Sequence, residues 1–319
     1  MVKRILIVVS MAVVALSCRH ASSRIETSSA TLTVLHAGSL SVPLKALADS
    51  FAAQNPGIRF RMEAAGSLET IRKITELGKQ ADIMASADER LIREYLIPDF
   101  ASWSLPFAGN EMVVAFAKHS RGRNEINSYN WTDKLKNPDF AIGRSNPDLD
   151  PCGYRTFLLL QLAEEHYGKA GLADKVLAAS SMNVRAKETD LIALLQTGHL
   201  DYIFTYRSIA VQHKLDFVTL PDEINLSNPD FAQNYNRAIT QIRGRNPGEL
   251  SEIEGETIVY GLTIPNNAPN KSLAARFVAF IVSRKGQEIL LAHGHRSLNG
   301  IEHSGVEEVP EIIRKQLMP

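Results

Sequence analysis

The sequence has no excess of charge of either sign. It contains 35 Lys and Arg residues against 35 Asp and Glu residues, so its formal net charge is zero. Binding to nucleic acid normally requires a basic face that neutralises phosphates, and we therefore expect no nucleic-acid partner. Two cysteines in 319 residues cannot form a disulfide scaffold. The apolar content of 45% argues against disorder, and the length indicates two domains or one large domain.

Long hydrophobic runs are also missing. The one apolar run near the N-terminus, residues 5–16, is interrupted by a single serine and follows two basic residues. A membrane-spanning helix needs about 20 apolar residues, so this run is too short to be one. The pattern predicts an export signal over residues 1–17, with an uncleaved membrane anchor as the alternative.

The two cysteines lie in different contexts. Ser17-Cys18 resembles the lipobox of bacterial lipoproteins, although Ala15 stands where that motif usually has leucine. We therefore expect Cys18 to carry lipid and the serine-rich residues 18–30 to tether the folded part to the membrane surface. Cys152 is then the only other thiol, and a buried small hydrophobe is the favoured interpretation over a nucleophile.

Nucleotide and metal-binding motifs are absent from the sequence. Neither Gly-x-x-x-x-Gly-Lys-Ser/Thr nor Gly-x-Gly-x-x-Gly follows the first predicted strand, and neither His-Glu-x-x-His nor Cys-x-x-Cys occurs. Nine histidines are scattered along the chain. His36 has no visible carboxylate or nucleophile partner, so we interpret it as structural.

Strand and helix signals alternate from Thr31 onward. Short β-branched runs at 31–36, 58–63 and 81–85 are each followed by apolar residues at helical spacing or by a turn. Such units predict an α/β fold with a parallel sheet and helices on both faces. The chain is predicted to cross to a second lobe near Ala115 and to return near Tyr260, which leaves a cleft between the lobes.

The tetrapeptide Ala-Gly-Ser-Leu occurs twice, at 37–40 and 65–68, each time between a predicted strand and a predicted helix. Such turns lie at the carboxyl edge of a parallel sheet, where ligands bind. Serine hydroxyls and the free N–H groups of a first helical turn attract anions. Two copies predict an oxyanion site that contains Ser39 and Ser67, and the alternative is that both serines are only helix N-caps.

The second lobe supplies a turn-rich loop over residues 145–155 that runs into a helix predicted to begin near Thr156. Asp150 lies just before Pro151, and Glu188 precedes another predicted helix. Taken singly, each carboxylate is explained by capping or by compensation of the helix dipole. A strand over Tyr202–Tyr206 follows.

Five segments together resemble the extracellular molybdate/tungstate-binding proteins of ABC importers, and most closely their tungstate-binding branch. The likeness covers about residues 31–295 and is carried by Leu35-His36-Ala37-Gly38-Ser39-Leu40, Glu63 to Ser67, Ala81 to Asp88, Ser145 to Arg155 and Val259 to Pro265.

The resemblance implies a type II periplasmic-binding-protein fold, with lobe I over 31–114 and 260–319 and lobe II over 115–259. It implies a monomeric, exported protein that has no enzymatic activity or cofactor and delivers tungstate or molybdate to a membrane permease. The ligand contacts of the family fall on Ser39, Ser67 and Tyr206. The two carboxylates that complete an octahedral oxygen shell around the metal in the tungstate branch match Asp150 and Glu188.

Two other functions stay open. The first is a binding protein of the same fold for another ligand, such as sulfate, phosphate or ferric ion. The second is an envelope hydrolase that uses Asp150 and Glu188 as a general acid/base pair. Removal of residues 1–17 would leave 33 basic and 35 acidic residues, so anion affinity should come from short-range donors and depend little on salt.

Overall fold

The computed structural model describes residues 29–180, 183–246, 248–298 and 308–317. The predicted signal peptide, Cys18 and most of the predicted tether therefore lie outside the described residues. In chain order the strands are β1 (Ala30–Ala37), β2 (Ile58–Ala65), β3 (Ile83–Ser86), β4 (Leu105–Gly109), β5 (Met112–Phe116), β6 (Ile142–Ser145), β7 (Val184–Arg185), β8 (Tyr202–Tyr206), β9 (Asp216–Thr219), β10 (Ile239–Arg243), β11 (Leu250–Glu254) and β12 (Val259–Thr263).

The helices alternate with these strands, and short 3-10 turns lie at Gly38–Leu40 and Pro229–Phe231. The helices are α1 (Ser41–Gln54), α2 (Ser67–Thr75), α3 (Glu89–Tyr95), α4 (Trp131–Leu135), α5 (Pro151–His166), α6 (Leu172–Ser180), α7 (Asp190–Gln196), α8 (Arg207–Gln212), α9 (Ala232–Tyr235), α10 (Lys271–Val282), α11 (Arg284–Ala292) and α12 (Glu311–Leu317). In the described part of the chain, no helix is both long enough and apolar enough to span a bilayer.

The strands form two five-stranded sheets and one hairpin in the described residues. The first sheet has the order β2-β1-β3-β12-β4 and the second the order β7-β6-β8-β5-β9, while β10 and β11 pair as the hairpin. We call each sheet with its packed helices a lobe. The predicted α/β class is confirmed, and the domain limits proposed from the sequence stay predictions.

The sheets are mixed rather than parallel throughout. β1 pairs in parallel with β2 and β3, as the strand-helix units predict, but β12 is antiparallel to β3 and β4. The reason is topological: β12 returns from the second lobe, so it enters the first sheet at the edge where β3 ends. The chain leaves the first sheet between β4 and β5, at Asn110-Glu111.

Apolar side chains at helical spacing form the core where the sequence predicts them, with one exception. The α1 residues Leu44, Leu47 and Phe51 are buried. On α2, Leu68, Ile71 and Ile74 are buried, but Leu77, which continues the same spacing, is 75% exposed. The helix ends at Thr75, and Gly78 then adopts a positive φ of 61° that turns the chain away.

Residues 225–255, predicted as an exposed excursion of the second lobe, contain the β10–β11 hairpin, which contacts both lobes. On one side the Arg243 backbone N–H donates to Asp148 Oδ1 in the loop before α5, at 2.8 Å. On the other side Arg72 Nη2, from α2, donates to the Arg243 carbonyl at 3.2 Å. The hairpin therefore bridges the lobes at the loop that carries Asp150.

Candidate functional site

The two Ala-Gly-Ser-Leu copies lie side by side. β1 and β2 pair in parallel register, with Ala37 opposite Ala65, so both tetrapeptides begin at the same position on the carboxyl edge. Ser39 and Ser67 are fully buried there. Neither is an N-cap, because Leu40 caps α1 and Gly66 caps α2, and neither helix start has a side-chain cap. The capping alternative for the two serines is therefore wrong.

The oxygen of each serine hydroxyl accepts one hydrogen bond. The Ala87 backbone N–H donates to Ser67 Oγ at 2.9 Å, and the Tyr260 hydroxyl donates to Ser39 Oγ at 2.9 Å. The Ser39 hydroxyl also lies close enough to the Glu188 carboxyl to lower its pKa, although among the described residues the hydrogen bonds of good geometry made by the two serines are those that they accept. A hydroxyl has one proton, so each serine can still donate that proton into the cleft.

Tyr206 shows the same arrangement in the second lobe. It ends β8 and is fully buried, and its hydroxyl accepts a hydrogen bond from Arg155 Nη1 at 2.8 Å. Burial raises the pKa of Tyr206 well above its ordinary value, although the Arg155 charge acts in the opposite direction. The phenol therefore keeps its proton, which is free to donate.

Asp150 and Glu188 meet in the second lobe, each 1% exposed. Asp150 is the N-cap residue of α5, which begins at Pro151 rather than near Thr156, because proline fits the first helical position. Its side chain makes no capping hydrogen bond. Instead, Asp150 Oδ2 accepts from the Glu188 backbone N–H at 3.1 Å. Thr189 rather than Glu188 caps α7, so capping explains neither carboxylate.

The Glu188 carboxyl has no hydrogen-bond partner of good geometry in the described part of the chain. Burial raises the pKa of Glu188 well above its ordinary value, and the adjacent Asp150 raises it further, while the nearby Ser39 hydroxyl partly opposes both. Burial also raises the pKa of Asp150. A buried, unsatisfied carboxyl is costly, which makes this pair the strongest indication of a ligand site.

The lobes touch directly around these residues. A Cβ on Gly66 would lie 2.1 Å from the Leu149 carbonyl oxygen, so only glycine permits this approach. The same carbonyl accepts from the N–H groups of Leu68 and Glu69, at 3.2 and 3.4 Å. The sequence predicts free N–H groups at this helix start, and that prediction is wrong for Leu68 and Glu69, because the Leu149 carbonyl of the other lobe accepts from both.

A buried ion pair joins the lobes beside the site. The sequence does not predict this pair. Arg155 on α5 lies 3.1 Å from the carboxylate of Asp88, and both side chains are at most 2% exposed. Arg155 Nη1 also donates to the Ala87 carbonyl at 2.7 Å, and the Tyr154 hydroxyl donates to Asp88. Although burial opposes it, the charges of Arg90 and Arg155 hold the pKa of Asp88 below its ordinary value.

The structure thus brings all five predicted ligand residues together, and their role as ligands stays a prediction. Cys152 is buried beside them, and burial raises the pKa of its thiol well above the ordinary value, which argues against a nucleophile. His36 is buried in β1, and burial lowers its pKa. Within the described ranges, no group of three or more His, Cys, Asp or Glu side chains could hold a metal cation.

Comparisons with known proteins identify the family of the chain. A family model described as bacterial extracellular solute-binding protein matches residues 32–296. An uncharacterized solute-binding protein of Petrotoga mobilis is 44% identical over 281 residues, which cover 88% of this chain and 88% of that protein. The molybdate/tungstate-binding protein WtpA of Thermococcus kodakarensis is 37% identical over 311 residues, which cover 89% of this chain and 86% of that protein.

The fold is also similar to a solved structure, the periplasmic molybdate-binding protein of Azotobacter vinelandii. The TM-score is 0.61 at 18% identity, and the match covers 83% of this chain and 98% of that chain. At this identity the likeness shows the fold alone, and it agrees with the two-lobed architecture described above.

Proposed function

The chain belongs to the bacterial extracellular solute-binding protein family, and from this premise we propose that it captures tungstate or molybdate between its lobes and delivers the anion to the permease of an ABC importer. The similarity to WtpA supports the choice of anion. In this proposal the protein acts by binding and release, with no chemical step.

Three hydroxyls support an oxyanion as the ligand. Ser39, Ser67 and Tyr206 each accept a hydrogen bond from a neighbouring donor, which leaves each with a proton to donate. Three hydroxyl protons left available in one buried site favour an acceptor-only ligand such as a fully ionised oxyanion. Because the site is buried, these donors act where water does not compete.

The observation that carries the proposal is the Asp150–Glu188 pair, in which Glu188 has no hydrogen-bond partner of good geometry in the described part of the chain. Two carboxylates should repel a dianion, by several kcal/mol at an effective dielectric constant of about 20. Direct bonding removes this difficulty, because tungsten and molybdenum can expand from four to six oxygen neighbours and favour hard oxygen ligands. Sulfur and phosphorus cannot, so the same pair would exclude sulfate and phosphate.

Titration calorimetry with tungstate, molybdate, sulfate and phosphate tests the ligand class. We expect tight binding of the first two anions and weak or no binding of the others. Thermal unfolding gives an independent measure, because a ligand at 100 times its Kd stabilises the folded state by about 2.7 kcal/mol. Equal responses to all four anions, or none to tungstate and molybdate, would overturn the proposal.

X-ray absorption at the tungsten edge tests the carboxylate bonds themselves. In complex with the wild-type protein, tungsten should have six oxygen neighbours, and the number should fall in Asp150→Ala and Glu188→Ala. Both variants should also bind tungstate much more weakly. Four oxygen neighbours in the wild-type complex, or unchanged affinity in both variants, would contradict direct bonding.

We also propose that the exported chain is held at the membrane by lipid on Cys18, with the folded part outside the cytoplasmic membrane. The lipobox-like Ser17-Cys18 pair and the extracellular family support this placement. Intact-mass measurement of membrane-extracted protein should show a chain that begins at Cys18 with added acyl mass. A Cys18→Ser variant should be released into the soluble fraction, and its retention would contradict the anchor.

A further inference from the structure

Tyr260 is the second residue of β12, the strand by which the chain returns from the second lobe to the first sheet. Its side chain is fully buried, and its hydroxyl lies between Asn110, at the opposite crossing, and Ser39. Tyr260 lies at the predicted return crossing and within a segment that carries the resemblance, but the sequence assigns neither Tyr260 nor Asn110 a role in the site.

The orientation of the Asn110 amide is fixed by backbone groups. Its Oδ1 faces the N–H groups of Glu111 and Ser208, at 3.0 and 3.3 Å, and a backbone N–H can only donate. Nδ2 must therefore be the other end of the amide. It donates to Ser208 Oγ at 2.8 Å and to the Tyr260 hydroxyl at 3.0 Å.

This orientation determines where the Tyr260 proton goes. The phenol oxygen accepts a hydrogen bond from the Asn110 amide, and burial raises the pKa of Tyr260, so the phenol keeps its own proton. Among the described residues, Ser39 Oγ is the acceptor available to the phenol proton. The ring is held edge-on against Phe107, Tyr206 and His295, at centroid distances of 6.4, 5.9 and 5.2 Å.

We propose that Tyr260 is a positioning residue for oxyanion binding: by donating to Ser39 Oγ, it orients the Ser39 hydroxyl so that the Ser39 proton points into the site, where the bound anion accepts it. Tyr260 itself need not touch the ligand. The direction of its hydrogen bonds is fixed at the two crossings between the lobes: Asn110 donates to Tyr260, and Tyr260 donates to Ser39. The inference rests on the proposed function, because it assigns Ser39 as a donor to the bound oxyanion.

A double-mutant cycle with Tyr260→Phe and Ser39→Ala tests this relay. Tyr260→Phe keeps the ring packing and leaves Asn110 Nδ2 bonded to Ser208, so we expect a folded protein. Without the phenol proton, the Ser39 hydroxyl can turn away, and tungstate Kd measured by calorimetry should rise about three- to tenfold. In the Ser39→Ala background, the same substitution should change Kd less than about twofold, because the relay has lost its end point.

Tyr202→Phe is the matched control. Tyr202 is also a buried tyrosine, but its hydroxyl donates to the Arg121 carbonyl at 2.7 Å, outside the site. This variant should leave tungstate Kd unchanged. Unchanged Kd in Tyr260→Phe, or an equal loss with and without Ser39, would overturn the inference. If the wild-type protein binds neither tungstate nor molybdate, the proposed function fails first and this inference with it.

Discussion

Glu188→Gln should make the ligand-free protein more stable while weakening its binding of tungstate. Glu188 is 1% exposed and has no hydrogen-bond partner of good geometry in the described chain. A buried carboxyl without partners destabilises the folded state by about 1 to 3 kcal/mol or more. Where the Glu188 carboxyl is ionised, it places a second buried negative charge beside Asp150. A glutamine of the same shape stays neutral at every pH, and its amide can donate to Asp150.

The gain should depend on pH. Burial and Asp150 raise the pKa of Glu188, so the folded wild-type protein holds a proton that the unfolded chain releases near the ordinary value of 4.5. Wild-type stability therefore falls as the pH rises from this ordinary value through the raised one. Below pH 4.5 the carboxyl is protonated in both states, and the advantage of glutamine should shrink.

Thermal unfolding without ligand measures the effect. With an unfolding entropy of about 2.1 cal/mol/K per residue, a gain of about 1 to 3 kcal/mol in a chain of this length raises the Tm by about 2 to 5 °C at neutral pH. Asp201→Asn is the control, for which we expect a change in Tm of the opposite sign. Asp201 is buried, but its hydrogen bonds with Arg121 outweigh burial and lower its pKa.

The Asp201 contribution is present above the ordinary pKa of 3.8 and is lost as the pH falls through the lowered value. Asp201→Asn should therefore lower the Tm at neutral pH, and acidification should reduce the difference from wild type. If Glu188→Gln gives a Tm equal to or below that of wild type at neutral pH, the reasoning that its carboxyl is buried without compensation is refuted.

Three further predictions concern binding and closure. Ser67→Ala should weaken tungstate binding by about 1 to 3 kcal/mol in calorimetry, because one donor to a charged ligand is lost. Asp88→Asn should lower the free energy of unfolding by about 3 to 5 kcal/mol in denaturant titrations, because Arg155 stays buried without its countercharge. Tungstate Kd should change less than about twofold between about 0.05 and 0.5 M NaCl, because the donors are buried and poorly screened. A steep salt dependence would indicate that long-range attraction contributes instead.

The sequence is sufficient to place the two serines together. Each follows a short strand in a strand-helix unit, and parallel strands bring their carboxyl ends to one edge, where Ala37 pairs with Ala65. Local signals suffice because each unit is only about 30 residues long, the usual size of a βαβ unit. The resemblance adds Asp150, Glu188 and Tyr206, which the structure places in the same buried region.

The contacts between lobes could not be predicted in this way. Asp88 lies at a helix N-cap, a position that gives no hint of Arg155, because the two residues are far apart in sequence and belong to different lobes. In the sequence, Tyr260 is only one of several apolar residues in a predicted strand. Its role depends on the insertion of β12 between β3 and β4, which periodicity does not encode.

The backbone of Ala87 contacts both a predicted ligand residue and the opposite lobe. Its N–H orients Ser67 within the first lobe, and its carbonyl accepts from Arg155 across the cleft. Opening the lobes therefore breaks a hydrogen bond to the residue that aligns a ligand donor. In the proposed function the ligand residues come from both lobes, so separation of the lobes would take the anion site apart rather than merely uncover it. A permease that pulls the lobes apart would disassemble the site, so release would not depend on the slow escape of the anion from an intact pocket.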